Sequence, residues 1–180
     1  MAWMGTLDPR WFLRSERLGF REWTPADLGH ARALWGDPAV TALIDARGRL
    51  GDADVERRLS EEIELAEEYG VQYWPIFDLV TGAHIGCCGL HPRNAEGGVH
   101  ELGFHLLTGE WGKGYASEAA RAVIGYAFDV LDSRELFAGH HPDNAASRNV
   151  LVKLGFTYTR DEPFAPTGLR HPSYVLRRSR

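Results

Sequence analysis

Residues 107–128 read LTGEWGKGYASEAARAVIGYAF and join a glycine-rich turn to a long amphipathic run. The apolar positions of that run recur three or four residues apart, and they are Ala116, Ala119, Ala120, Val123, Ile124, Ala127, Phe128 and Leu131. This spacing predicts a helix whose apolar stripe covers a sheet. Gly112 and Gly114 in the turn permit backbone dihedrals that other residues rarely adopt. The stretch therefore predicts a tight turn that leads directly into a helix.

Extended segments flank this helix on both sides. Before it, VHELGFHLL at 99–107 alternates between two faces, one of which carries Val99, Glu101, Gly103, His105 and Leu107. After it, ELFAG at 135–139 is typical of a short strand. A strand, a helix and a strand in this order predict a crossover unit with parallel strands.

The rest of the chain predicts further elements around this unit. The first half contributes a strand in RLGFREW at 17–23, a helix that begins after Thr24 and ends near Trp35, an irregular loop, a second helix capped by Asp52 and stopped by Gly70, and a hairpin at 71–90 followed by a turn at 91–98. The second half adds a helix from Asn144 to Gly155 and two antiparallel strands around 157–160 and 173–178. Pro75 is unfavourable inside the first hairpin strand. The order β αα βββ α β α ββ predicts an α/β (α+β) fold with a mixed central sheet and helices on both faces.

The composition is typical of a globular protein. The chain has 180 residues, of which 44% are hydrophobic and 25% charged, and we expect a single domain over residues 1–180. No apolar stretch reaches the roughly 20 residues of a membrane helix, and the charges spread through residues 8–17 leave no signal-peptide core. These features predict a cytoplasmic protein with no membrane partner.

The sequence gives no signal for a metal or a nucleic acid. Cys87 and Cys88 are adjacent, which suits neither an ordinary disulfide nor a CxxC metal pair, so we predict no metal site. The formal net charge of −5 argues against a nucleic-acid partner. We interpret the basic tail LRRSR at 176–180 as a solvated end.

The turn at 112–114 has two interpretations from its residues alone. A helix N-terminus presents several unpaired backbone N–H groups, with the positive end of the helix dipole, to whatever lies beyond it. Glycines allow an anion such as a phosphate to approach these groups closely. The sequence GKGY lacks the Ser or Thr of a P-loop, and no G-x-G-x-x-G is present. The alternative is that the glycines serve only a tight turn between strand and helix.

Several motifs together resemble a known superfamily. WGKGYASEA at 111–119 is similar to the acyl-coenzyme A pyrophosphate loop of the GNAT N-acetyltransferases, and most similar to that of the ribosomal-protein-alanine N-acetyltransferase branch. ELGFHL at 101–106 resembles that branch's preceding strand, and NAASRNVLVKLGF at 144–156 resembles its downstream helix. With RLGFREW and the hairpin, the likeness covers nearly the whole chain. Trp111 stands where the superfamily commonly has Gln or Arg, although tryptophan is frequent there in the ribosomal-type branch.

The resemblance implies a GNAT-like fold and acetyl-CoA as the cosubstrate, with no metal. It assigns coenzyme A binding to Leu107, Trp111, Gly112, Lys113, Gly114, Tyr115, Ala116, Ser117, Asn144 and Ser147. Lys113 would add positive charge beside the phosphates, and its alternative is a solvated lysine. Asn144 would contact the pantetheine arm, and its alternative is a plain helix N-cap.

Acetyl transfer to an amine requires a base, because an alkylammonium of pKa about 10 must first lose its proton. Glu101 is the candidate, since it lies mid-strand in an apolar segment where the family's cleft is expected. Its alternative is a glutamate that faces solvent or pairs with an arginine. His105 lies on the same face of the strand as Glu101. It is a candidate for a second base or relay, and the alternative is a strand histidine with no catalytic role. Ser147 would help to protonate the coenzyme A sulfur, or is a helix-surface hydroxyl. In direct transfer the amine itself attacks the thioester, so no nucleophilic side chain is needed and we assign Cys87 no role.

The acceptor is the least determined part of the sequence. By analogy, the pocket walls come from the loop at 36–52, the segment 161–172 and the acidic residues of the second helix, which are Glu61, Glu62, Glu64, Glu67 and Glu68. We interpret these glutamates as a solvated face that could also attract a cationic amine. A protein N-terminal α-amine, an aminoglycoside or a polyamine would suit such a cleft. A catalytically silent acyl-CoA-binding module and a homodimer are alternatives that the sequence leaves open.

Overall fold

The computed structural model describes residues 10–178 and arranges them around an eight-stranded sheet. The strands are β1 (Leu13–Arg14), β2 (Leu18–Phe20), β3 (Tyr73–Asp78), β4 (His84–Asn94), β5 (Val99–Leu106), β6 (Glu135–Gly139), β7 (Thr157–Phe164) and β8 (Leu169–Arg177). Their order across the sheet is β1-β2-β3-β4-β5-β6-β8-β7. All neighbouring pairs are antiparallel except β5 and β6, which are parallel. The predicted mixed sheet and its parallel crossover pair are confirmed.

Helices cover both faces of this sheet, as predicted. They are α1 (Leu28–Trp35), α2 (Pro38–Thr41), α3 (Asp52–Tyr69), α4 (Tyr115–Asp129) and α5 (Ala145–Lys153). Adjacent strand residues point to opposite faces. Accordingly, Cys87 packs with Leu34 on the side of α1 and α3, whereas Cys88 packs with Val123 and Leu151 on the side of α4 and α5.

The helix predicted from the apolar stripe is α4. Its fully buried residues are Ala119, Ala120, Val123 and Ala127, and the remaining stripe residues are partly buried against the same core. The predicted stops are also confirmed, because Gly70 after α3 and Gly155 after α5 have φ values of 70° and 90°. Both glycines adopt the left-handed conformation that ends many helices.

Two short elements in the first half of the chain were missed. The strand β1 precedes β2 and pairs with it. The helix α2 lies in the segment that we expected to be an irregular loop. Asp37 caps it by accepting a hydrogen bond from the Ala39 N–H at 2.9 Å, and Pro38 occupies the first helical position.

The predicted cap of α3 is wrong by one residue. Gly51 is the N-cap of this helix and Asp52 is its first residue. The carboxylate of Asp54 accepts a hydrogen bond from the Gly51 N–H at 3.3 Å, so a side chain within the first turn replaces the expected cap.

The prolines in the central hairpin do not remove hydrogen bonds from the sheet. The strand β4 continues through the segment that we expected to be a turn. The Leu90 N–H donates to the Gln72 carbonyl at 3.0 Å, so the nitrogen of Pro92, two residues later, faces the same side, where β3 no longer pairs. Pro75 precedes Ile76, the first residue of β3 that pairs with β2.

Both ends of the chain are described only in part. Arg177 pairs with Glu135 at 2.8 Å and Arg178 pairs with Asp132 at 2.6 Å, so these two tail arginines form ion pairs on an exposed surface. The rest of the basic tail and the charged residues before position 10 lie outside the described residues. Within residues 10–178, no helix is both long and apolar enough to cross a membrane.

The strands β5 and β6 pair only over their first residues. Their register joins Val99 to Glu135 and ends with Glu101 opposite Phe137. The rest of β5 diverges from β6 and opens a cleft in the sheet. Because the two strands are parallel, the helices that follow them, α4 and α5, begin at the same edge of the sheet.

Candidate active site

A cavity of about 560 Å³ occupies the cleft between β5 and β6. Its lining brings together four side chains that the sequence singled out, namely Glu101, His105, Asn144 and Ser147. Leu107 and residues 111–117 do not line this cavity. They follow β5, and residues 111–117, which we call the α4 loop, comprise the turn before α4 and the first residues of that helix. The predicted site thus has two parts, one in the cleft and one at the N-terminus of α4.

Glu101 faces the cleft and also pairs with an arginine. Its Oε2 lies 3.6 Å from Nη1 of Arg93, and the same guanidinium binds Glu162 at 2.6 Å. Arg93 in turn lies over the ring of Phe137 at 3.3 Å from its centroid. Burial raises the pKa of Glu101, and Arg93 and His91 oppose this effect without cancelling it. A half-buried carboxylate with a raised pKa is suited to accept a proton.

His105 occupies the predicted face, but its surroundings disfavour a role as a base. Its Nδ1 accepts a hydrogen bond from the indole N–H of Trp35 at 3.2 Å, which places the ring proton on Nε2. Burial lowers the pKa of His105 well below its usual value, and Arg58 lowers it further. His105 is therefore neutral and offers an N–H donor.

A buried glutamate and a histidine form a pair that sequence reasoning missed. Glu62 is buried, and both of its carboxylate oxygens lie 3.0 Å from Nε2 of His91. Glu62 also accepts the backbone N–H of Tyr73 at 2.8 Å, and His91 stacks on the Tyr73 ring with 3.7 Å between centroids. The prediction that Glu62 lies on a solvated face is wrong. The available signal was its position three residues after the core residue Leu59, within the apolar stripe of α3.

This pair lies beside the predicted base. His91 is the register partner of Glu101 across β4 and β5, and both side chains line the cavity. Side chains directly opposite in an antiparallel pair are close neighbours, with Cβ atoms roughly 5 Å apart. The floor of the cleft therefore carries the carboxylate of Glu101 and the imidazole of His91 side by side.

Asn144 and Ser147 lie together at the start of α5. The side-chain oxygen of Asn144 accepts the backbone N–H of Ser147 at 3.0 Å, so Asn144 caps the helix. Within residues 10–178, the hydroxyl of Ser147 makes no hydrogen bond to the protein, and it lines the cavity. The serine thus offers a free donor and acceptor to a bound molecule.

The α4 loop presents unpaired backbone donors. Gly112 and Gly114 have φ values of 75° and 81°, and no atom lies within 4 Å of a Cβ built on Gly112. Glycine is therefore favoured at both positions because of the positive φ, and not because a side chain would lack room. In the described part of the chain, none of the N–H groups of residues 112 to 117 donates a hydrogen bond to the protein. This geometry suits an anion such as a pyrophosphate.

The side chains of the α4 loop are mostly engaged within the protein. Trp111 is exposed over half of its surface, and its indole N–H donates to the Leu106 carbonyl at 3.0 Å. Lys113 pairs with Glu110 at 2.9 Å. The backbone N–H of Leu107 donates to Ile85 at 3.0 Å, and the Leu107 carbonyl accepts from Glu110 at 2.9 Å. Free donors at this end of the site are therefore chiefly backbone N–H groups.

An arginine from the N-terminal segment fixes the shape of this loop. Arg17 donates to the Lys113 carbonyl through both terminal nitrogens at 3.1 Å and pairs with Glu118 at 2.6 Å. It also lies over the Tyr115 ring, 4.3 Å from the centroid. Glu118 accepts a further hydrogen bond from Ser15 at 2.6 Å. Sequence reasoning missed this cluster, because its members are about a hundred residues apart.

The far side of the cavity is charged with both signs. As predicted, its wall includes residues from the loop 36–52 and from the segment 161–172, which is the β7–β8 hairpin. Of the five predicted helix glutamates, only Glu61 lines it. The other charged residues of this wall are Asp45, Arg47, Asp54, Arg57, Arg58 and Glu162. The wall therefore carries charges of both signs, and Glu64, Glu67 and Glu68 are exposed on the solvated face that we expected.

Sequence comparisons agree on the family of the chain. The family described as acetyltransferase (GNAT) domain matches residues 17–157. The uncharacterised N-acetyltransferase p20 of Bacillus licheniformis is 32% identical over 145 residues, which span 80% of this chain and 81% of that protein.

Two solved structures share the fold. The ribosomal-protein-S5-alanine acetyltransferase from Vibrio fischeri has a TM-score of 0.74 at 18% identity, over 91% of this chain and 94% of its own. The spermidine N-acetyltransferase from Vibrio cholerae, in complex with CoA and spermine, has a TM-score of 0.75 at 16% identity, over 89% and 95% of the two chains. At these identities the likeness shows the fold alone. The family match and the N-acetyltransferase relative, taken with the cleft and the α4 loop, establish that this chain belongs to the GNAT family and is an acetyl-CoA-dependent N-acetyltransferase.

Proposed function

We propose that the enzyme acetylates a primary amine that enters the cleft beside Glu101, and that Glu101 takes the proton from this amine. The observation that carries the proposal is the position of Glu101 on the cleft floor, at the last β5 residue that pairs with β6. Its raised pKa makes it a better proton acceptor than an ordinary glutamate.

The residues around the cleft have distinct roles in this proposal. The backbone N–H groups of residues 112 to 117 hold the phosphates, and acetyl-CoA supplies the acetyl group as a thioester. The amine nitrogen forms the new bond to the acetyl carbon as the bond from carbon to sulfur breaks. Glu101 removes the amine proton, and Ser147 donates a hydrogen bond to the departing sulfur.

A protein N-terminal α-amine is our first acceptor class. The motifs that resemble the ribosomal-type branch support it, and so does the wall of mixed charge, which suits a peptide better than a polycation. A small-molecule amine is the alternative. The spermidine enzyme from Vibrio cholerae, which shares the fold, is the reason to keep it.

The test is the substitution Glu101→Gln, measured as coenzyme A release with a panel of peptides and amines. We expect kcat to fall by roughly 10²- to 10⁴-fold, the usual contribution of a general base, with acetyl-CoA affinity preserved. Partial recovery at high pH should follow, because the amine is then already neutral. Glu96→Gln is the matched control, since Glu96 lies in the exposed turn between β4 and β5.

Other outcomes would redirect the assignment. A higher KM with unchanged kcat would make Glu101 a substrate-ordering residue. Near-normal turnover would move the base to another group on the cleft floor, of which His91 with its partner Glu62 is the nearest. Acetyl-CoA binding without turnover of any amine by the unsubstituted enzyme would indicate a catalytically silent module.

A further inference from the structure

Within residues 10–178, the lining of the cavity contains one arginine that has no ion-pair partner. Three of its arginines are ion-paired: Arg47 with Asp45 and Asp54, Arg57 with Asp54, and Arg93 with Glu101 and Glu162. Arg58 also lines the cavity, but in the described part of the chain it makes no hydrogen bond and no ion pair.

Arg58 is nevertheless held in place. Its guanidinium lies over the ring of Trp35, with 4.8 Å between Cζ and the centroid. Trp35 is fully buried and its indole N–H is fixed by the hydrogen bond to His105. The guanidinium of Arg58 is therefore held in position by its contact with the buried ring of Trp35.

One donor of this guanidinium is buried and unsatisfied. The Nε atom of Arg58 has no contact with solvent and no hydrogen-bond acceptor. Leaving a donor in this state is unfavourable, and such groups are rare in folded proteins. The terminal nitrogens of Arg58 also make no hydrogen bond within residues 10–178, and they are the atoms that a ligand in the cavity can reach.

The groups around Arg58 do not neutralise it. Asp45 is a carboxylate whose pKa Arg58 helps to lower, but its two oxygens already bind Arg47 at 2.9 and 3.0 Å. His105 is neutral, as argued above. Tyr73 is buried, and burial raises the pKa of its hydroxyl well above the usual value, so it carries no charge.

Arg58 and Glu101 both lie near Tyr73. All three residues line one cavity, and, after the larger effect of burial, Glu101 raises the pKa of the Tyr73 hydroxyl and Arg58 lowers it. A molecule in the cavity can therefore meet a carboxylate base and an unpaired cation together.

We infer that Arg58 binds an oxyanion of the acceptor, a carboxylate or a phosphate carried by the same molecule as the reacting amine. This rests on the proposed function, because it takes Glu101 as the site of the amine. A planar guanidinium matches either oxyanion through two parallel hydrogen bonds. A polyamine, which carries no such group, is disfavoured by this cation.

The test compares matched acceptors that differ by one oxyanion. The pairs are leucine and leucinamide, phosphoethanolamine and ethanolamine, and peptides that begin with Asp or with Asn. We expect kcat/KM to favour the anionic member of at least one pair. Arg58→Met should lower that kcat/KM by roughly 10- to 100-fold, the loss of a charge-assisted hydrogen bond, and leave the neutral member within about twofold.

Two further variants separate charge from position. Arg58→Lys should restore part of the preference, since it keeps the charge but not the planar fork. Arg32→Met removes an exposed arginine that pairs with Glu56 outside the cavity, and we expect no change in preference. Thermal unfolding of Arg58→Met should show an intact fold, because the substitution removes an unsatisfied donor.

The outcomes distinguish this inference from the proposed function. Acetylation of amines with no preference for the anionic member, or an equal preference in Arg58→Met, would overturn the inference and leave the proposed function intact. If no amine is acetylated, calorimetry with coenzyme A present can still compare the affinities of the two members of each pair. Equal affinity of the two members for the unsubstituted enzyme would then also overturn it.

Discussion

The α4 loop and the acceptor wall differ in how they are built. We call the acceptor wall the charged residues that line the cavity between positions 45 and 61, together with Glu162. The loop is a single run of seven residues that offers backbone N–H groups. The wall offers side chains from segments about a hundred residues apart. A site made of backbone can be encoded in one short motif, whereas a site made of side chains depends on the tertiary fold.

The two regions also differ in which groups are left free. At the α4 loop both cations are engaged, Lys113 by Glu110 and Arg17 by Glu118, while the N–H groups of residues 112 to 117 donate no hydrogen bond within residues 10–178. At the acceptor wall the carboxylates and two arginines, Arg47 and Arg57, form ion pairs, while Arg58 forms none within residues 10–178. If free groups mark where ligands bind, a change in the loop should alter coenzyme A affinity alone, and a change in the wall should alter the use of the acceptor.

The largest effect that we predict in this comparison is a loss of acetyl-CoA affinity in the variant Gly114→Val. A β-branched residue avoids the φ of 81° found here, so the turn must rearrange and its N–H groups lose their common direction. Loss of one or two such contacts to phosphate should weaken acetyl-CoA binding by about 3 kcal/mol, roughly 10²-fold. Calorimetry on the folded variant measures this.

The matched control for that variant lies on the same helix. Gly125 has an ordinary helical φ, and no atom lies within 4 Å of a Cβ built on it. Gly125→Ala should leave acetyl-CoA affinity unchanged and stabilise α4 by roughly 0.5–1 kcal/mol. Unchanged affinity in folded Gly114→Val would remove the α4 loop from coenzyme binding.

A smaller effect should follow from Arg93→Met at the cleft floor. Burial raises the pKa of Glu101 and Arg93 lowers it, so removal of the arginine leaves a still higher pKa. The base form then exists only at higher pH. The acid limb of the kcat/KM profile should therefore move to higher pH, with less activity below the limb and near-normal activity above it.

Another arginine of the same ion-pair cluster provides the control. Arg160 binds Glu162 at 2.6 Å but does not contact Glu101, and it is largely exposed. Arg160→Met should therefore leave the acid limb where it is. A limb that stays in place in Arg93→Met would mean that it reports a group other than Glu101.

The same contrast explains what the sequence could predict. The helix α4 was predicted because its apolar residues repeat within one segment, and the α4 loop because its motif is contiguous. Glu62 was predicted to face solvent because it belongs to a run of acidic residues, although its own position falls in the apolar stripe of α3. The extension of β4 past Pro92 depended on where β3 stops pairing. The unpaired state of Arg58 depended on which carboxylates other arginines had already engaged.

The smallest effect that we predict is in Ser147→Ala, at the point where the two regions meet. A departing coenzyme A thiolate resembles a cysteine thiolate, whose pKa is about 8.5, so it is a good leaving group that needs little help from a proton donor. We therefore expect kcat to fall by only about two- to tenfold, with an unchanged KM for the amine. The stability of α5 should not change, because Asn144 caps this helix through the backbone N–H of Ser147, which alanine retains.

The control variant Ser147→Thr keeps the hydroxyl and should retain most of the turnover. Steady-state kinetics of both variants, with thermal unfolding to verify the fold, decide the role. Equal turnover in all three proteins would make Ser147 a helix-surface hydroxyl, whereas a loss beyond 10²-fold in the alanine variant would mean that sulfur protonation limits the reaction and that the cleft gives the thiolate little other stabilisation.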